Sequence, residues 1–127
     1  MKLASIAALS TLLAVACGAF GAHALRDSLS ASDMAIWEKA VLYQLVHSVA
    51  ALLVALVCPF YIPAGRARFI AALFLLSVVV FSGSLYILVL TNTRWLGMIT
   101  PLGGSGFMAA WGLLALFLWR SSGSSRP

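Results

Sequence analysis

The sequence predicts an all-α protein, a four-helix transmembrane bundle with both termini cytoplasmic. Three observations carry this. The runs Leu3–Leu25, Ala40–Gly65, Phe69–Thr93 and Trp95–Trp119 hold no Asp, Glu, Lys or Arg and fill most of the 127 residues. The chain is 63% hydrophobic and 9% charged, with a mean hydropathy of +1.07. A soluble domain would carry about 25% charged residues. The few charges sit at the ends of the runs rather than inside them.

Each run is long enough to cross a hydrocarbon core about 30 Å thick, which takes about 20 apolar residues. In lipid the runs must be helical, because unpaired backbone groups are too costly there. The chain therefore reads as one integral membrane domain, 1–127, with spans of about 3–24, 38–58, 67–90 and 99–119. The net charge of +5 does not indicate nucleic acid as a partner, since the basic residues form no stripe. It indicates orientation. With the N-terminus inside, the inner side holds Lys2, Arg66, Arg68, Arg120 and Arg126 and no acid. The outer side holds Arg26, Lys39 and Arg94 with Asp27, Asp33 and Glu38. That distribution follows the positive-inside rule.

The first span starts near Leu3 and runs outward. Met1-Lys2 before an apolar stretch, with Ala22-His-Ala24, also has the form of a cleavable signal. Ala14-Val-Ala-Cys17 lacks the Leu that a lipoprotein box carries three residues before its Cys. The run is long enough to span, so an uncleaved helix is the expectation. Ala14, Gly18 and Ala22 recur every four residues with Gly21 beside them, a small-residue face suited to close helix contact and a candidate seam for a homo-oligomer. Arg26–Ser32 forms an outer loop, and Ser32 or Asp33 is placed to cap the second helix. Residues 33–39 lead in at headgroup level, with Trp37 as interfacial aromatic. The second span descends to about Val57, and Pro59 and Pro63 bracket an inner turn. The third rises from Arg66 to about Leu90. Thr91–Arg94 is the outer loop, and Pro101 suits the first turn of the fourth helix. Ser121–Pro127 is a short polar tail. Cys17 and Cys58 fall in different halves of the bilayer and read as small apolar fillers rather than a disulfide.

Each run carries a polar or glycine-rich string near the same end: Gly18-Ala-Phe-Gly-Ala-His23, Tyr43-Gln-Leu-Val-His47, Phe81-Ser-Gly-Ser-Leu-Tyr86 and Ile99-Thr-Pro-Leu-Gly-Gly104. Because the spans alternate in direction, all four strings fall in the outer half of the bilayer. Lys39, Tyr43 and His47 share a helical face, with Gln44 close to His47. Ser82 and Tyr86 pair likewise. Polar groups in a span normally face the bundle interior or a water-filled cavity. The expectation is a polar core of His23, Tyr43, Gln44, His47, Ser82, Ser84, Tyr86 and Thr100, centred on His47. Helix packing is assigned to Ala14, Gly18, Gly21, Ala22, Gly83, Gly103 and Gly104.

Specific chemistries find little support. The only histidines, His23 and His47, lie about 12 Å apart in depth, which is awkward for one haem. They and two distant cysteines do not make a zinc set. No acid lies deep in a span, so only His47 could serve a proton relay. Thr100-Pro-Leu-Gly-Gly104 has neither the spacing nor the Lys of a phosphate loop. No catalytic residue, metal or cofactor is assigned.

Together, in order, Gly18-Ala-Phe-Gly-Ala-His-Ala-Leu25, Tyr43-Gln-x-x-His47, Phe81-Ser-Gly-Ser-Leu-Tyr86 and Ile99-Thr-Pro-x-Gly-Gly104 resemble the membrane family known as domain of unknown function 423. That family includes YgdD/YwdK-type bacterial inner-membrane proteins and eukaryotic transmembrane protein 256. The resemblance covers about residues 3–119. It implies a small multi-span helical protein of the bacterial inner (plasma) membrane and supplies no catalytic residues. The resulting expectation is a structural or accessory protein among membrane lipids, able to form a homo-oligomer. The alternatives are a binder or transporter of a small ligand or lipid at His47 and, more remotely, a membrane enzyme or haem protein.

Overall fold

A computed structural model describes residues 1–123. Arg126 and residues 124–127 of the expected polar tail lie outside the described residues. The chain forms four helices, α1 (Lys2–Phe20), α2 (Ala31–Val57), α3 (Ala64–Thr91) and α4 (Thr100–Ser122), with no strand among the described residues. All four helical segments are long and apolar enough to cross a membrane. Packing follows the chain: α1 lies along α2, α2 along α3 and α3 along α4, while α1 meets α3 over only a short stretch. Phe74 and Ile70 of α3 are fully buried, with Ala51 and Val54 of α2 beside them and Phe107 and Leu114 of α4 closing the core. Large apolar side chains such as Leu12, Leu53, Leu76 and Val79 face outward. This is the expected arrangement when lipid is the solvent, since tails are as apolar as Leu and give no reason to hide it.

The element ends depart from expectation in two places. Ser30, not Ser32 or Asp33, caps α2: its hydroxyl accepts from the Asp33 amide at 3.1 Å. The helix begins early enough to place Asp33 in its first turn, where a carboxylate complements the helix dipole. At the end of α1, residues Gly21–Leu25 widen into a π-helical turn. The Trp37 indole donates to the Cys17 carbonyl at 2.9 Å just before this point. A side chain drawn onto a ladder carbonyl is a recognised cause of such irregularity.

The loops are tied down. Pro59 sits in a 3₁₀ turn (Cys58–Phe60) between α2 and α3, and Pro101 occupies the first turn of α4 as expected. Asn92 ends α3 in the left-handed region, φ 54°, a conformation asparagine tolerates better than most residues. Arg94 grips Asp33 through two hydrogen bonds of 2.7 and 3.1 Å, joining the α3–α4 loop to the start of α2. At the opposite end the Arg66 guanidinium lies over the Phe117 ring, 4.7 Å from its centroid, joining the start of α3 to the end of α4.

Candidate functional site

The four polar strings do meet at one end of the bundle, but they form two separate groups. The first lies between α1, α2 and α3. The Tyr86 hydroxyl donates to Gln44 Oε1 at 2.7 Å, and Gln44 Nε2 donates to the Ser10 carbonyl at 3.1 Å. Ser10 and Ser48 hydroxyls lie 2.6 Å apart, extending the chain of bonds along the α1–α2 interface. Beside it, Ser82 donates to the Ala40 carbonyl at 2.7 Å, a direct link from α3 to the α2 backbone. Ser84 bonds to the Phe81 carbonyl at 2.8 Å and to the Thr100 hydroxyl at 2.7 Å, which extends the linkage to α4. Among the described residues no buried side-chain nitrogen or oxygen lacks a partner.

The second group lies between α2, α3 and α4 and is aromatic. The His47 ring stacks on Phe107 with centroids 3.6 Å apart. Tyr43 stacks on Phe81 at 4.4 Å, and Trp111 meets Phe74 edge-on at 4.9 Å. His47 Nδ1 lies 2.8 Å from the Tyr43 carbonyl. A carbonyl only accepts, so Nδ1 carries the proton and Nε2 of the neutral ring is an acceptor. His47 and Tyr43 also line an open groove of about 470 Å³ whose far wall is α4.

The expected single core around His47 is therefore corrected. Gln44 and His47 are three residues apart on a helix that turns 100° per residue, so their side chains diverge by about 60°. With α3 covering the middle of that face, Gln44 leans toward α1 and His47 toward α4. Tyr43, four residues before His47, stays with it; its ring centroid lies 5.5 Å from that of His47. His23 belongs to neither group. It is exposed on the π-helical turn and makes no hydrogen bond or ring contact.

The packing residues divide too. A Cβ on Gly21 would stand 2.5 Å from the Trp37 indole nitrogen, and one on Gly18 3.3 Å from Val41. Ala14 is fully buried. The small-residue face of α1 is thus used against α2 within the chain, with Ala22 exposed at its edge. Gly103 is pressed onto the Phe81 backbone, where a Cβ would stand 2.6 Å from the amide nitrogen. Gly83 and Gly104 are not required for packing. A Cβ would meet nothing within 4 Å at Gly83 and only an ordinary 3.9 Å contact at Gly104. Gly83 instead faces the shallow groove where α1 and α3 separate. Ser10, Ser48, Gly106, Phe107 and Trp111 escaped sequence reasoning. The available signals were Ser48 beside His47 and the i, i+4 spacing of Phe107 and Trp111. Gly106 abuts the Ser77 side chain. Both cysteines are free, and the described residues contain no cluster of three potential metal ligands.

Comparison with known proteins places the chain among proteins named as membrane proteins. Residues 17–104 match the family described as "Protein of unknown function (DUF423)". A UPF0382 membrane protein of Staphylococcus haemolyticus is 43% identical over 118 residues, covering 93% of this chain and 95% of the relative. One from Staphylococcus epidermidis is 41% identical over the same length, covering 93% of this chain and 95% of that protein. The UPF0382 membrane protein YwdK of Bacillus subtilis is 38% identical over 106 residues, 84% of this chain and 86% of YwdK. No solved structure matches. The matched region contains the strings from Gly18 to Gly104, and the chain belongs to the DUF423 family of small integral membrane proteins.

Proposed function

We propose that this protein is a non-enzymatic structural or accessory component of the bacterial inner membrane, with both termini on the cytoplasmic side. The observation that carries the reading is the closure on itself of a polar network whose Gln44, Ser48, Ser82 and Ser84 are buried and whose Ser10 and Tyr86 are half-buried. Gln44, Tyr86, Ser82, Ser84, Ser10 and Ser48 take their partners from one another or from helix backbone. Bonded in this way they link α1, α2 and α3, and the Ser84–Thr100 bond adds α4, so they hold the helices in register even where Ser10, Gln44, Ser82 and Tyr86 border the α1–α3 groove. Lys2, Arg66, Arg68 and Arg120 flank the spans at one end of the bundle with no acid among them, which supports placing that end inside, since the positive-inside rule counts basic residues flanking spans.

Two experiments test this. Replacing Gln44 and Tyr86 together by Leu and Phe should lower the unfolding free energy in detergent while the chain still inserts. A more stable double variant would mean that the polar pair is kept at a cost to stability, as reaction chemistry would require. For orientation, single cysteines at Ser28 and at Gly65, in a chain otherwise free of cysteine, should react with an impermeant thiol reagent from the periplasmic and the cytoplasmic side respectively. The reverse pattern would contradict the assignment.

A further inference from the structure

We propose that the groove between α2 and α4 binds a neutral, lipid-soluble molecule with an aromatic ring and a hydroxyl group, which donates its hydroxyl hydrogen bond to His47 Nε2. The site lies on the opposite side of α2's buried face from the Gln44 network and is independent of it.

Three features argue for it. First, His47 is 8% exposed, and its only hydrogen bond is made by Nδ1. Among the described residues every fully buried side-chain nitrogen or oxygen has a partner. Nε2 has none, so it is not sealed in the core; His47 borders both the α2–α4 groove and a smaller one of about 350 Å³ beside Leu42 and Val46, and the proposed site is the first, where the ring walls lie. In a membrane no water competes for such an acceptor, and leaving it unpaired is costly. Second, the partner must be a donor. Lipid tails carry none. A phosphate headgroup brings charge into a groove lined by Tyr43, Phe81, Phe107, Met108, Trp111 and other uncharged residues. Ser105 donates to the Pro101 carbonyl at 2.9 Å, and neither the Tyr43 hydroxyl nor the Trp111 indole, the other donors lining the groove, bonds Nε2, which leaves it to an external donor. Third, the walls are rings. Tyr43 on Phe81 and His47 on Phe107 present stacked faces and edges, against which another ring packs better than a flexible tail. The volume of about 470 Å³ falls in the range of small-molecule sites.

The test uses the full chain in phosphatidylcholine nanodiscs with two probes of matched shape. Para-hexylphenol carries the donor, and para-hexylanisole replaces it by a methyl ether. The phenol should bind saturably at one per chain and about tenfold more tightly than the ether, the loss expected when a buried acceptor goes unpaired. Nitrogen NMR on isotope-labelled histidines should move the Nε2 resonance of His47 to lower frequency and leave that of exposed His23 in place. His47→Phe keeps the ring stack and should abolish the preference for the phenol. Should that variant fail to fold, the wild-type affinity ratio and the His47 resonance decide alone. Equal affinities, or a His47 resonance unmoved at saturation, overturn the proposal. So does a Met108→Cys chain that cross-links to its own copy with no competition from the phenol, which would assign the groove to a second copy.

Discussion

Gly103 lies so close to Phe81 that a Cβ at position 103 would stand 2.6 Å from the Phe81 amide nitrogen. This contact lets α4 approach α3 near enough for the Thr100 hydroxyl to reach Ser84 at 2.7 Å. Gly103→Ala must therefore push α4 away, with an overpacking cost of about 1–3 kcal/mol. Gly83→Ala meets nothing within 4 Å, and should stabilise α3 by up to about 1 kcal/mol through helix propensity. Unfolding titrations in detergent should give the two variants opposite signs.

The junction of α1 and α2 makes a second prediction. Trp37→Phe removes the indole donor from the Cys17 carbonyl, 2.9 Å away, and should cost about 1 kcal/mol. Amide exchange across residues 21–25 should change in the same variant, because the π-helical turn begins where that bond is made. Gly21→Ala should be more damaging than Gly18→Ala, since its Cβ falls at 2.5 Å from the indole rather than 3.3 Å from a valine methyl.

The ion pair between Arg94 and Asp33 lies at the exposed rim of the bundle, with the Arg94 side chain 53% exposed. Exposed pairs are screened by salt and contribute little. Asp33→Asn should lower the thermal midpoint slightly at low ionic strength and not at all at about 1 M salt. A large, salt-independent loss would mean that the pair orders the α3–α4 loop.

Much of the bundle was legible in the sequence, because four uncharged runs of spanning length allow few other structures in lipid. Of the eight residues expected in the polar core, five are bonded within the bundle, and Tyr43, His47 and His23 lie apart from them. Gln44, Ser82, Ser84, Tyr86 and Thr100 are bonded to one another or to helix backbone. The division between Gln44 and His47 was not legible, because it depends on which neighbour covers the middle of α2. His23 was misplaced because its direction is set by a π-helical turn, which no periodicity announces. Gly83 and Gly104 resemble Gly103 in sequence. Only the helix crossing tells which glycine meets backbone and which meets open space.

The Gln44–Tyr86 bond of 2.7 Å joins α2 to α3 at the centre of the closed network, and a double-mutant cycle on it is the most direct test of a packing role for the polar core. Gln44→Leu, Tyr86→Phe and the pair should give a favourable coupling of about 0.6 kcal/mol, reaching about 1.7 if Ser10 is drawn in through Gln44. A coupling of zero, with each single variant as stable as the parent chain, would contradict it.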